Sequence, residues 1–146
     1  MPVIRKYIAF WREYPDIFVD FMVRGTRTEK KDGEFNFYFY QRVFLRSVMR
    51  FQYVYAVFPR AYSKSFLSVM ALMIRCILYP GSHLFVTTVG KEQAAGIAKE
   101  KTDLLCKLIP GLKNELNLER GKTKQSKDNI ELLFKNGSIL DVMAAR

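Results

Sequence analysis

Residues 52–79 read QYVYAVFPRAYSKSFLSVMALMIRCILY, and the order of residue types in this stretch decides which fold to expect. Residues 53–58, Tyr-Val-Tyr-Ala-Val-Phe, are apolar, β-branched and aromatic, which predicts a buried strand. Residues 59–63, Pro-Arg-Ala-Tyr-Ser, predict a tight turn. Lys64 and Ser65 follow, and residues 66–79 are apolar enough for a core helix. A strand that turns into a helix beginning Lys-Ser aims backbone N–H groups of the loop and of the open helix N-terminus at one point, where an anion is stabilised. A lysine there adds a point charge for phosphates, and a serine hydroxyl adds a ligand for Mg²⁺.

This is the layout of a phosphate-binding P-loop, with departures. The consensus G-x-x-x-x-G-K-[ST] wants glycine at positions 58 and 63, where this chain has Phe58 and Ser63. Glycine serves such loops by accepting positive φ and close backbone approach; serine adopts a left-handed conformation only at a cost. Taken alone, the Lys-Ser dipeptide reads better as the ordinary start of a core helix after a proline turn. The rest of the chain shifts that balance.

With 146 residues, the chain is long enough for one modest domain. Twelve Phe and eight Tyr among nearly half apolar residues exclude a disordered composition. A formal charge of +10 and a pI near 9.7 favour an anionic partner: nucleic acid, nucleotide or acidic membrane. Cys76 and Cys106 sit in apolar helical patterns and read as buried reduced thiols. No Cys/His grouping has metal-ligand spacing, and no Ser/His/Asp or Cys/His nucleophile set stands out. His83, the one histidine, precedes an apolar strand and reads as structural. Charges at Arg5, Lys6, Arg12 and Glu13 argue against a signal peptide. The most apolar run, residues 66–74, is too short to span a bilayer and stops at Arg75. The expectation is a soluble intracellular protein.

Outward from the central stretch, residues 2–14 form an amphipathic helix pattern (Ile4, Tyr7, Ile8, Trp11, Tyr14). Pro15 ends it, and residues 16–22 predict a second short helix. Residues 24–34 are a charged, glycine-containing connector. Residues 35–51 begin with an aromatic approach and continue as a helix. Phe44, Val48 and Phe51 make an apolar stripe there, and Arg42, Arg46 and Arg50 make a basic one. The basic stripe is either a solvated face or a phosphate-facing one. After the central helix, Tyr79-Pro80-Gly81 is a stop signal. Residues 84–89 predict a buried strand and residues 90–109 a helix ended by Pro110-Gly111. Strand, helix, strand, helix implies parallel strands with right-handed crossovers. Residues 117–129 read as a polar, basic surface loop. Residues 130–134 and 138–143 predict strands joined by Lys135-Asn136-Gly137, a strong hairpin signal.

Several features therefore stand in one order: Phe-Tyr-Gln-Arg on an upstream helix, a strand into Pro-Arg-Ala-Tyr-Ser-Lys-Ser, a strand ending in Thr87-Thr88 before Gly90-Lys91-Glu92-Gln93-Ala94, and an Asn-Gly hairpin closing on Met143-Ala144-Ala145-Arg146. This order resembles the large terminase subunit of tailed bacteriophages, in the front part of its ATPase domain, from about residue 35 onward. The resemblance implies an α/β fold, with a P-loop NTPase-type parallel sheet and flanking helices, preceded by an N-terminal helical arm and linker (1–34). It also implies that residues 35–146 end before the Walker B strand, the coupling motif and the nuclease domain, leaving the sheet incomplete at its C-terminal side. The family tolerates a deviant Walker A with an arginine near its start, which fits the missing glycines.

The resemblance implies ATP and Mg²⁺ as ligands. Tyr40 and Gln41 would sit at the adenine. Arg60, Ala61, Tyr62, Ser63, Lys64, Ser65 and Phe66 would wrap the triphosphate. Lys64 would hold the β- and γ-phosphates, Ser65 would ligate Mg²⁺, and Arg60 would act as a cis arginine finger or phosphate sensor. Thr87 and Thr88 would couple the nucleotide site to double-stranded DNA. The implied partners are DNA, the viral portal, the small terminase subunit and further copies in a ring, in the cytoplasm of a bacterial host, with no membrane contact. Asp141, after only two strongly apolar residues in a hairpin strand, is a poor Walker B candidate, so the chain is expected to bind nucleotide weakly and to turn it over little by itself. Three other readings stay open. One is a helicase-like or other P-loop NTPase. Another is a non-enzymatic basic module using Arg42, Arg46, Arg50, Lys122, Lys124 and Lys127. The third is an interaction protein built on the N-terminal aromatic helices.

Overall fold

A computed structural model describes residues 2–27, 29, 31–88, 91–117, 123–125 and 129–144; of residues 2–4, 88, 91–98, 123–125, 129–130 and 144 it describes only the backbone course. The elements in order are α1 (Pro2–Glu13), α2 (Pro15–Arg24), α3 (Phe39–Arg50), α4 (Lys64–Leu78), β1 (His83–Thr88), α5 (Lys91–Leu108), α6 (Pro110–Glu115), β2 (Thr123–Gln125), β3 (Asn129–Leu133) and β4 (Ile139–Ala144).

The centre of the molecule is α4. Leu67, Met70, Met73, Ile74 and Cys76 are fully buried, and Phe66, Val69, Ala71 and Leu78 nearly so. A helix apolar on almost every side needs cover all round. The cover comes mainly from α3, α5, β4, α1 and β1; Leu45 of α3, Leu105 of α5 and Leu140 of β4 share one hydrophobic cluster with it, which extends to Phe18 and Val19 of α2 and Leu132 of β3. Burial also pushes the Cys76 thiol up to about 12, which keeps it protonated and inert. The same core takes in part of the apolar faces of α1 and α2, namely Trp11, Phe18, Val19 and Met22, with Trp11 packed against Phe18 and Phe21, while Tyr7, Ile17 and Phe21 stay exposed.

The sheet is mixed, in the order β1-β4-β3-β2. β1 and β4 run parallel, in register from His83 opposite Ile139 to Thr88 opposite Ala144. β4 and β3 form the expected antiparallel hairpin, and β2 adds antiparallel to β3. In the turn, Gly137 takes φ 84°, a conformation open to glycine at no steric cost. The hairpin turn has a second job. Asn136 Nδ2 donates to the carbonyls of Cys76 (2.8 Å) and Ile77 (3.0 Å), and Ser138 Oγ donates to that of Cys76 (2.8 Å). Arg12 of α1 donates twice to the Leu78 carbonyl (3.0 and 2.7 Å), and Ser82 Oγ donates to that of Tyr79 (2.6 Å). The last carbonyls of a helix have no intrahelical donor; here side chains from three separate parts of the chain provide one.

Three expectations need correction. Residues 53–58 form no strand. They run irregularly between α3 and α4, with Tyr53, Tyr55 and Val57 among the most exposed apolar side chains described. β-propensity needs a neighbouring strand to act on, and the sheet forms from β1 to β4 without this segment, so among the described residues the parallel pair is β1 with β4 and not two strands flanking α4. Next, Pro110-Gly111 does not merely end α5: Pro110 is the first residue of α6, its fixed φ suiting that position. Gly111 lets α6 lie against α2, since a Cβ there would meet Met22 Cβ at 3.1 Å. Finally, the polar stretch 117–129 contains β2; Lys122 and Lys127 lie outside the described residues. Among the described residues, no helix is long and apolar enough to cross a membrane.

Candidate functional site

The loop between α3 and α4 reverses direction at residues 59–63 and delivers the chain into α4 through two non-glycine residues of positive φ, Ala61 (68°) and Ser63 (54°). Ser63 is the residue preceding α4, in the left-handed region with ψ 27°, and it occupies the position where the P-loop consensus has glycine. Such a conformation costs a non-glycine residue about 1–2 kcal/mol. The Ser63 carbonyl opens the helix by accepting the Leu67 N–H (2.9 Å). Among the described residues the Ser63 side chain makes no cap to the N-terminus of α4, so the first N–H groups of the helix stand open at the positive end of its dipole.

This loop walls a cleft of about 650 Å³. Arg60, Ala61, Tyr62, Ser63, Lys64, Ser65 and Phe66 form one side, Phe35, Asn36, Tyr38 and Gln41 another, and Lys101, Leu104 and Leu108 of α5 the third. Nine of the eleven residues named as candidate site residues belong to the cleft or to its rim, since Tyr40 lines a smaller hollow next to it with Tyr38, Ala61 and Tyr62. Thr87 and Thr88 lie at the end of β1, and Thr87 is not among the described lining of either space. Phe35, Asn36, Tyr38, Lys101, Leu104 and Leu108 escaped the sequence reading. The α5 residues reach the cleft only through tertiary packing, and no local signal marks them.

The charges differ sharply between the cleft and α3. Among the described residues, Arg60 and Lys64 have no acidic partner, while Lys101 pairs with Glu100 at 2.7 Å. The arginines of α3, by contrast, face the acids of α2 and α1. Arg42 binds Asp16 (2.9 Å) and Asp20 (2.8 Å), Arg46 binds Asp16 (2.8 Å), and Arg50 lies 3.3 Å from Glu13. Asp16 is fully buried. Burial alone would raise its carboxyl, but hydrogen bonds from Arg46 and Arg42 outweigh that and hold it below the usual carboxylate range. For Arg42, burial works to lower its value, and the bonds to Asp20 and Asp16 reverse the sign. The basic stripe is spent on ion pairs within the chain: Arg42 and Arg46 rivet α3 to α2, and the exposed Arg50 reaches Glu13 of α1.

Gln41 also has a structural task. It is buried, and its Oε1 accepts the Tyr38 N–H (3.0 Å) at the start of α3, while its Nε2 lies 3.4 Å from the Tyr40 hydroxyl. This is the reaching-back half of a capping box. Tyr38 and Tyr40 are stacked (10° between planes, 6.1 Å), and Tyr40 leans on Tyr62 (5.5 Å) and Phe58 (6.3 Å).

Asp141 and His83 sit elsewhere. Asp141 is buried on β4, one carboxylate oxygen hydrogen-bonded to His83 of β1 and the other without a partner among the described residues. Neither residue is among the described lining of the cleft, so Asp141 is not placed to act on a ligand held there. Among the described residues no three His, Cys, Asp or Glu side chains converge as metal ligands. No protein-family model matches the chain, and no curated protein matches it at a significant level.

Proposed function

We propose that the chain is the ATP-binding portion of a viral DNA-packaging motor, of the large terminase kind, with the loop before α4 as its phosphate seat. One observation carries the reading: Arg60 and Lys64, both without acidic partners among the described residues, line one cleft with Ser65 and the N-terminus of α4, which is entered through a left-handed Ser63. Fixed backbone N–H groups and two free cations suit a polyphosphate, and the cleft volume falls within the ~300–1,000 Å³ of small-molecule sites. Lys64 and Arg60 neutralise phosphate oxygens. Ser65 offers one oxygen to a Mg²⁺ ion, whose other ligands would come from phosphates and water, as is common for that ion.

The cleft walls described contain no carboxylate. Orienting a water for attack on the γ-phosphate uses a polar or acidic side chain near it, so this arrangement serves binding better than turnover. Coupling to double-stranded DNA through Thr87 and Thr88, and assembly with a portal, a small subunit and further copies, belong to the same proposal through the resemblance. A helicase-like NTPase would use the same seat. The basic nucleic-acid module finds less support, because Arg42, Arg46 and Arg50 already face acids of their own chain.

Titration of a fluorescent ATP analogue with Mg²⁺ into the wild-type chain and Lys64→Ala tests the seat. Saturable binding, lost on substitution in a chain of unchanged circular dichroism, is expected. Equal binding by both, or none by a folded wild type, overturns the proposal.

A further inference from the structure

The smaller hollow beside the cleft has a volume of about 390 Å³ and is lined by Tyr38, Tyr40, Ala61 and Tyr62. Three of these, Tyr38, Ala61 and Tyr62, also line the cleft, so the two spaces adjoin. Tyr38 is 71 % exposed and Tyr62 49 % exposed, although each ring carries a large apolar surface whose burial is favourable. Between them stands Tyr40, stacked on one and tilted onto the other. Aromatic rings open to water next to a phosphate seat fit a ligand that has a flat π-face on one end and phosphates on the other.

We infer that this hollow seats the base of a nucleoside triphosphate by stacking, and that the site discriminates weakly between purines. The inference rests on the phosphate seat proposed above and departs from the expectation that Gln41 reads adenine. An amide reads a base edge by offering a donor and an acceptor together. The acceptor of Gln41 is already held by the Tyr38 N–H, and its side chain is buried. Gln41 is a positioning residue: it fixes the first turn of α3 and with it the two tyrosines. Recognition then falls to ring faces, and every base has one, so stacking tolerates sequence and favours the larger purines.

The test is calorimetric titration of the full chain, in Mg²⁺, with inorganic tripolyphosphate, ATP, GTP and CTP, and of Tyr62→Ala and Tyr62→Phe with the same four. ATP and GTP are expected to bind alike, both about tenfold more tightly than tripolyphosphate, as one base–aromatic stack implies. Tyr62→Ala is expected to erase that gain and leave tripolyphosphate binding unchanged; Tyr62→Phe is expected to keep it. A strong preference for ATP over GTP, or a gain that survives Tyr62→Ala, overturns the inference and leaves the phosphate seat standing. Displacement of bound ATP by a short single-stranded oligonucleotide without a triphosphate overturns it in favour of a strand-binding platform. Failure of tripolyphosphate and all nucleotides to bind the folded chain removes the phosphate seat and this inference together.

Discussion

At the carboxyl end of α4, the carbonyls of Cys76, Ile77, Leu78 and Tyr79 receive donors from Asn136, Ser138, Arg12 and Ser82. At its amino end, among the described residues, the Ser63 side chain makes no cap, Ser63 itself is held left-handed, and Arg60 and Lys64 have no acidic partner. The charges on α3 repeat the first pattern, with Arg42 and Arg46 bound to Asp16, and those of Arg60 and Lys64 repeat the second. Polar groups that are fully satisfied within the fold contribute stability and uniqueness; polar groups left open beside a cleft are available to a ligand. A basic composition cannot separate the two, because it counts Arg46 and Arg60 alike.

The largest effect is expected where satisfaction is deepest. Asp16→Asn leaves Arg46 facing a neutral group and Arg42 with Asp20 alone; losing one partner of a fully buried ion pair costs about 3–5 kcal/mol, and solvent at the two half-open guanidiniums brings the loss below that range, still the largest fall in a thermal melt. The same bond sets an acid limb. The Asp16 carboxyl is lowered in the folded chain, so its contribution is present above the ordinary carboxylate value and is lost as pH falls through the lower, folded one. Wild type should lose stability across that acid window, and Asp16→Asn should lose less there. A flat acid limb in wild type would break the assignment.

Next comes the clamp at the carboxyl end. Ser138 is fully buried, and Ser138→Ala keeps most of its volume while taking one of two donors from the Cys76 carbonyl and the acceptor of the Ser82 N–H (3.1 Å), a loss of about 1–3 kcal/mol readable by urea denaturation. Lys64→Ala is expected to do the reverse: no loss in the same denaturation curve, since the ammonium bonds nothing in the fold. If Lys64→Ala destabilises as Ser138→Ala does, the contrast between the two ends of α4 fails.

Much of this contrast is invisible to local pattern. The hairpin was legible because Asn136-Gly137 carries its own turn chemistry, and α1 to α5 were legible because their apolar periodicity is local. Residues 53–58 misled because strand propensity says nothing about whether a partner strand is there to be joined. The arginine stripe was visible as a stripe, but its partners lie 22 to 37 residues away on α1 and α2. The loop from Arg60 to Ser65 could be picked out as a candidate because anion-binding physics prefers certain residue types over a few positions, whereas the α5 wall of the cleft arrives by tertiary packing alone.

The smallest effect tests the amino end most directly. Ser63→Gly relieves a left-handed residue, a gain of about 1–2 kcal/mol, and gives back about 0.5–1 kcal/mol through the greater freedom of glycine in the unfolded chain. The net is a small rise in stability. One turn later the same substitution has the opposite sign: Ser68 lies inside α4, its Oγ bonded to the Lys64 carbonyl at 3.0 Å, and glycine in a helix interior costs about 1 kcal/mol. A pair of melts, one shifted up and one down, would show that the loop holds Ser63 against its preference. If binding of the ATP analogue also survives Ser63→Gly, the left-handed backbone, not the serine hydroxyl, is what the phosphate seat requires at that position. If both variants shift downward, the Ser63 conformation is not strained, and the likeness to a glycine-bearing loop loses its physical basis.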